Sequence, residues 1–243
     1  MGSEIPIIDS HIHLFPASEL ASLAWQKPDG PLHKQQSIDE YKAATGGAPK
    51  GFIFIEADRK VGGGAESDDS SSSSNWAEPL AEVSFVQRIV TGQPKEGEGH
   101  SAEDASLCLA CVPWAPVASG PAALEKYIDR VKEAAGDETW GKVKGFRYLL
   151  QDKPSGTALQ DAFIEGLKLL GRKGFVFDVG VDQHRRGRLQ LEEAVEMIDR
   201  AHDGVPEEEK VVFILSTCDP HKVFQYSFHL PPNCHSPFRS YLG

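Results

Sequence analysis

Positive charge is scarce in this sequence. Its 243 residues hold 25 Lys and Arg against 36 Asp and Glu, a formal net charge of -11. Binding a phosphate backbone takes a concentrated basic stripe, and the densest cluster here is only Arg185, Arg186 and Arg188 in a short loop. A nucleic-acid partner is therefore not expected. No apolar run approaches the ~20 residues that cross a bilayer, so no membrane partner is expected either. The opening Met-Gly-Ser-Glu-Ile-Pro lacks the basic segment and apolar run of a secretory leader. Four scattered cysteines suit a reducing compartment better than a disulfide framework, and the chain reads as cytoplasmic. Cys108 and Cys111 do spell C-x-x-C, but within an apolar strand-like run. Residues three apart on a strand point to opposite faces, so the two thiols read as small buried hydrophobes.

What is present is the material of one globular domain. The chain is 40% hydrophobic and 25% charged, and its length is close to the ~250 residues of an eight-stranded (β/α) barrel. Short apolar runs alternate with helix-like segments. Strands are expected over Ile5–Ile8, Gly51–Asp58, Ser106–Trp114, Val143–Leu150, Gly174–Val181 and Lys210–Leu215. Apolar residues at helical spacing mark helices over Trp76–Val90, with Asn75 as a possible N-cap, Ala122–Ala135, ended by Gly136, and Leu189–His202, ended near Gly204. Strands this apolar, interleaved with helices, predict a parallel sheet covered on both sides. The expected fold class is therefore α/β of the (β/α)8 TIM-barrel type, incomplete at about six strands where a closed barrel has eight. Residues 1–215 form the partial barrel, with mobile insertions at 62–74 and 93–104. Residues 216–243 show neither helical nor strand periodicity and are expected to form an irregular tail.

The chemistry is expected at strand ends. His11 and His13 follow the first strand two residues apart, so both imidazoles face the same way and can converge on one ion, zinc being the first choice. In a parallel barrel that end carries the active site. Arg147 is placed to grip a substrate carboxylate or hydroxyl with its fork, or to make a surface ion pair. Glu56 ends the second strand at the same rim and suits a substrate hydrogen bond or the orientation of a histidine. His184, after the fifth strand, is a third candidate catalytic group or a solvated loop residue. Asp9 reads as a structural acceptor.

The text Ile7–Phe15 (Ile-Ile-Asp-Ser-His-Ile-His-Leu-Phe), the strand end Ile55-Glu-Ala-Asp58, Val143–Asp152 with its Gly-Phe-Arg, and Phe175–Val181 resemble the amidohydrolase-related, lactonase-like family of the amidohydrolase superfamily. The Ser-rich insertion and the Gln183-His184 region look fungal. The resemblance runs to about Leu215. It implies a hydrolase that opens a small lactone with an activated water, either with one divalent metal or without any. A decarboxylase of the same superfamily or a non-catalytic fragment is the alternative. Beyond Leu215 the chain departs from the family: Thr217 stands where a family histidine is expected, and Asp219 is too near the sixth strand to serve as the final-strand aspartate. Ser216-Thr217-Cys218 is compatible with codons containing a splice donor, so a truncated or mis-spliced C-terminus is expected; transcript reads across Leu215 and Ser216 test this.

Overall fold

The computed structural model describes residues 6–62 and 76–217, with the backbone alone at Ser216 and Thr217. Most of the Ser-rich insertion, the Asn75 cap and the tail with Asp219 lie outside the described residues. Six strands run parallel in sequential order: β1 (Ile8–Ile12), β2 (Gly51–Ile55), β3 (Cys108–Val112), β4 (Gly145–Arg147), β5 (Val176–Val181) and β6 (Val212–Thr217). They form two three-stranded ladders joined by the parallel bridges Cys111–Val143 and Trp114–Arg147. Among the described residues β1 and β6 are not paired with each other, so the arc ends on two strand edges. Helices follow the strands: α1 (Ile38–Thr45), α2 (Ala77–Val90), α3 (Gly120–Trp140), α4 (Asp161–Arg172), the single turn α5 (Gln183–Arg186) and α6 (Arg188–His202).

Period-2 alternation sorts the strand residues into two layers. Phe52, Phe54, Phe146 and Phe177 point outward and are fully buried under the helices. Each contributes roughly 1.5–3 kcal/mol by leaving water. From the helices, Leu124, Tyr127, Ile128 and Val131 of α3 and Val83, Phe85, Val86 and Ile89 of α2 close over them. The other strand face turns inward. There Ile53, Ile55, Arg147 and Asp178 line a cavity instead of a packed centre. Cys108 and Cys111 are both free and buried, and burial pushes the Cys108 thiol up to about 12.

Element boundaries differ from the expectations in informative ways. β1 starts where Ile8 pairs with Gly51 and runs through Asp9, Ser10 and His11, because polar side chains are tolerated where the strand faces the cavity. A register shift between Asp9 and Ile12 marks a bulge, a device that re-aims side chains beside functional sites. Gly136, at φ 65, interrupts α3 where a helix end is expected, and one more turn then runs to Trp140.

Residues 93–104, read in the sequence as a polar insertion, make specific charge contacts with the rest of the fold. These charges are matched rather than solvated. Glu98 is buried and accepts hydrogen bonds from the Arg88 guanidinium and, at 2.9 Å, from the Lys95 N–H. The His100 ring meets Phe85 edge-on at 5.8 Å, and Asp104 both caps the turn after Ser101 and pairs with Lys42. Burial alone would raise the Glu98 carboxyl, but Arg88 and the Lys95 N–H outweigh it and hold it below its ordinary value of 4.5. A depressed carboxylate stabilises the fold above its unfolded pKa, and that contribution is lost as pH falls below about 4.5 through the lower folded value. Glu98→Gln is therefore expected to cost roughly 1.5–3 kcal/mol at pH 7, the range for hydrogen bonds to a charged group. It should also flatten the acid limb of stability; urea unfolding at pH 7 and pH 4 checks both effects.

Candidate active site

The inward strand faces and the loops at their C-terminal ends enclose an open cavity of about 1030 Å³. β1 brings in Ser10 and His11, with His13 just after it; β2's following loop brings Glu56 and Asp58, β4 brings Arg147, and β5 brings Asp178. Four of the side chains singled out in the sequence, His11, His13, Glu56 and Arg147, line this one cavity. The two histidines stand edge to face, ring centroids 4.9 Å apart, with their Nε2 atoms 3.2 Å from each other. His13 Nδ1 lies 3.0 Å from the Ile55 carbonyl oxygen, which can only accept. His13 therefore carries its proton on Nδ1 and presents a bare Nε2 to the cavity, the arrangement a ligand histidine uses.

Solvent reaches the His13 ring through the cavity while protein surrounds its other sides. That desolvation, reinforced by the nearby Arg147 charge, lowers its pKa to about 4. The same two causes lower His11, partly opposed by Asp178 and Asp9. Both rings are thus disposed to stay neutral at physiological pH, as metal or proton acceptors must be.

Facing them is a buried charge cluster. Arg147 Nε lies 3.1 Å from Asp178 and 3.7 Å from Glu56, and all three side chains are buried. The β4–β5 register sets Arg147 directly beside Asp178. Gly180, two residues farther along β5, leaves room for the guanidinium, since a Cβ there would sit 2.8 Å from Arg147 Nη2. Of the two sequence expectations for Arg147, a substrate grip or a surface ion pair, the second is corrected in one respect: the cation is internal, held between the buried Glu56 and Asp178 carboxyl groups. Glu56 is fixed in turn by the Asp58 N–H, which donates to its Oε2 at 2.6 Å. Burial raises the Glu56 carboxyl to about 8, with Arg147 only partly opposing it. Burial also raises Asp58.

His184 is not brought into this group, which corrects its placement as a catalytic residue. Asp182 caps α5 by accepting from the backbone N–H of His184 and Arg185, and the resulting turn leaves the His184 side chain exposed while Arg185 lines the cavity. Asp178 is the residue missed in the sequence. A carboxylate inside Phe-Val-Phe-Asp-Val-Gly-Val was the available signal, because an isolated charge on a buried strand needs a partner.

No family model matches the chain. It is 32% identical over 202 residues to an L-rhamnono-γ-lactonase of Scheffersomyces stipitis, an alignment covering 82% of this chain and 58% of that protein. Over the aligned residues the chain is a sequence relative of that lactonase. In fold it is similar to an amidohydrolase from Burkholderia multivorans crystallised with bound zinc (TM-score 0.53, 20% identity), over 81% of this chain and 55% of that one. A second crystal form of that amidohydrolase, with bound HEPES, gives a TM-score of 0.52 at the same identity. The chain thus spans a little over half the length of the proteins it matches.

The zinc in that relative raises the question of fit here. Two nitrogens on one tetrahedral zinc at ~2.0–2.1 Å stand about 3.3 Å apart. The His11–His13 Nε2 separation of 3.2 Å is close to that value, and both rings favour the neutral form that binds metal. The two histidines therefore fit one corner of such a site. Among the described residues no group of three or more His, Cys, Asp or Glu side chains completes it. No helix of the described residues is long and apolar enough to cross a membrane.

Proposed function

We propose that this chain is a hydrolase that opens a small lactone by attack of an activated water on the ring carbonyl. The observation that carries the reading is the convergence of His11 and His13 with the Glu56–Arg147–Asp178 cluster in one cavity; the similarity to an L-rhamnono-γ-lactonase supports it. The water oxygen bonds to the carbonyl carbon, the bond from that carbon to the ring oxygen breaks, and the product is a hydroxy acid. His11 and His13 would hold a divalent ion, zinc by ligand type, which when bound supplies carbonyl polarisation and a more acidic water. Without an ion, the bare His13 Nε2 accepts a hydrogen bond from the attacking water and takes the proton that the water gives up. Arg147 offsets the negative charge that develops on the carbonyl oxygen, and Asp178 holds the guanidinium in place for that role. Glu56 Oε1 holds a proton at neutral pH and passes it to the departing ring oxygen.

This assignment has a pH signature. An acid that must be protonated loses its function as pH rises through its folded pKa. After subtraction of spontaneous hydrolysis, turnover of a γ-lactone by the zinc-supplied chain is expected to fall above about pH 8. Glu56→Gln should leave a lower, flat alkaline profile. A wild-type profile that keeps rising through pH 9 contradicts the role given to Glu56.

The two-ligand corner favours one second reading, a partial pocket that binds the lactone without turning it over. Measurable ligand binding with no acid release at any metal concentration would select it.

A further inference from the structure

On one side of the cavity mouth lies a wall with no role in the chemistry above. The segment after β1 folds back on the segment after β2: Ala24 N–H donates to the Asp58 carbonyl at 2.9 Å, Lys60 N–H to the Ser22 carbonyl at 2.7 Å, and Leu23 bridges Arg59 antiparallel. This brace carries Trp25. The indole Nε1–H donates to the Ala57 carbonyl at 2.8 Å, and the ring meets Phe15 edge-on at 5.7 Å. Phe15, Leu23 and Ala57, with Leu20 against them, form a small apolar cluster separate from the main core. Trp25 stays 38% exposed and lines the cavity, as does Leu32 at 51%. The polar atom of the indole is thus satisfied on the protein side, and what the ring offers the cavity is carbon. Gln151, Asp152 and Arg185 also line the cavity and supply polar surface, with Arg185 paired to Asp152 at 3.1 Å.

We propose that Trp25 and Leu32 form an apolar subsite that selects lactones bearing an alkyl or aryl substituent on the ring. A fixed aromatic whose hydrogen-bonding atom faces away from the ligand has only dispersion and hydrophobic contact to give, so a fully hydroxylated substituent gains nothing there. The inference rests on the lactone reading for the group held beside the histidines, but the subsite is read by binding rather than by turnover.

Saturation-transfer NMR and competition binding on the zinc-supplied chain, with γ-phenyl-γ-butyrolactone and unsubstituted γ-butyrolactone as probes, test it. The wild-type chain is expected to bind the phenyl lactone at least about tenfold more tightly, the scale on which apolar pockets discriminate. Saturation should be strongest at the phenyl protons. Trp25→Ala should bring the affinity ratio near one with the far-UV spectrum unchanged, whereas Trp25→Phe should keep most of the preference. A wild-type chain with no preference, or a folded Trp25→Ala variant that retains it, overturns the subsite. Should Trp25→Ala fail to fold, Leu32→Ser, at a half-exposed loop position, must reduce the ratio. An intact preference without lactone turnover would count against the hydrolase reading and leave the subsite standing.

Discussion

His13→Ala is expected to lower lactone hydrolysis by on the order of 10²–10³-fold, the cost of removing one electrostatic contact to the reacting oxygen, while leaving stability nearly unchanged. The separation of the two effects follows from where the ring sits. His13 is outside the apolar clusters and open to the cavity, so its loss leaves no buried void. Its hydrogen bond to the Ile55 carbonyl, at 3.0 Å, is worth about 1 kcal/mol. What disappears is the bare Nε2 facing that of His11 at 3.2 Å, and with it one of the two nitrogens that could bind an ion or accept a proton from water. His11→Ala should behave similarly, and the double variant should be little worse than either single one, because both act through one shared point. Steady-state rates measured alongside urea unfolding check the split. A loss of activity matched by a large loss of stability would show the histidines to be structural.

Arg147→Ala is expected to do the opposite and damage both properties. Its guanidinium lies between Glu56 and Asp178, all three buried, so removing it strands the Asp178 carboxylate away from water and takes from Glu56 the charge that opposes its protonation. Breaking a buried ion pair by deleting one partner costs about 3–5 kcal/mol. In a domain of this size that lowers Tm by about 6–20 °C, at 2–4 °C per kcal/mol. Turnover should fall as well, since the cation that offsets charge on the carbonyl oxygen is gone. The diagnostic is compensation: adding Glu56→Gln and Asp178→Asn to Arg147→Met should recover much of the lost stability and none of the lost activity. Recovery arises because neutral amides no longer need the cation; additive losses across the three sites would contradict the coupling.

The fold was legible because its strands are apolar on the helix-covered face. Phe52, Phe54, Phe146 and Phe177 made β2, β4 and β5 readable, and their helices carried ordinary 3.6-residue patterns. Where the sequence misled, the environment decided. β1 runs into Asp9, Ser10 and His11 because its inward face meets a cavity instead of a core, so hydrophobicity alone ended the strand too early. The loop at 93–104 looks solvated in composition, yet its acids are matched by Arg88 and Lys42, partners distant in sequence.

The site was legible in the same partial way. Spacing gave His11 and His13, and strand ends gave Glu56 and Arg147. Proximity to a strand end carried no direction for His184, since the Asp182 cap turns that side chain outward. Asp178 was hidden by its apolar neighbours. Its role emerges only when the β4–β5 register sets it beside Arg147. Trp25 sits in a loop with no periodicity to read, and only the backbone bonds to Asp58 and Lys60 place it over the cavity.

Anomalous diffraction at the zinc edge, on crystals of the chain grown with zinc, tests the central claim most directly. The account predicts a peak within about 2.0–2.1 Å of Nε2 of both His11 and His13. Imidazoles turned away from each other, or bound zinc only at other positions, would contradict it.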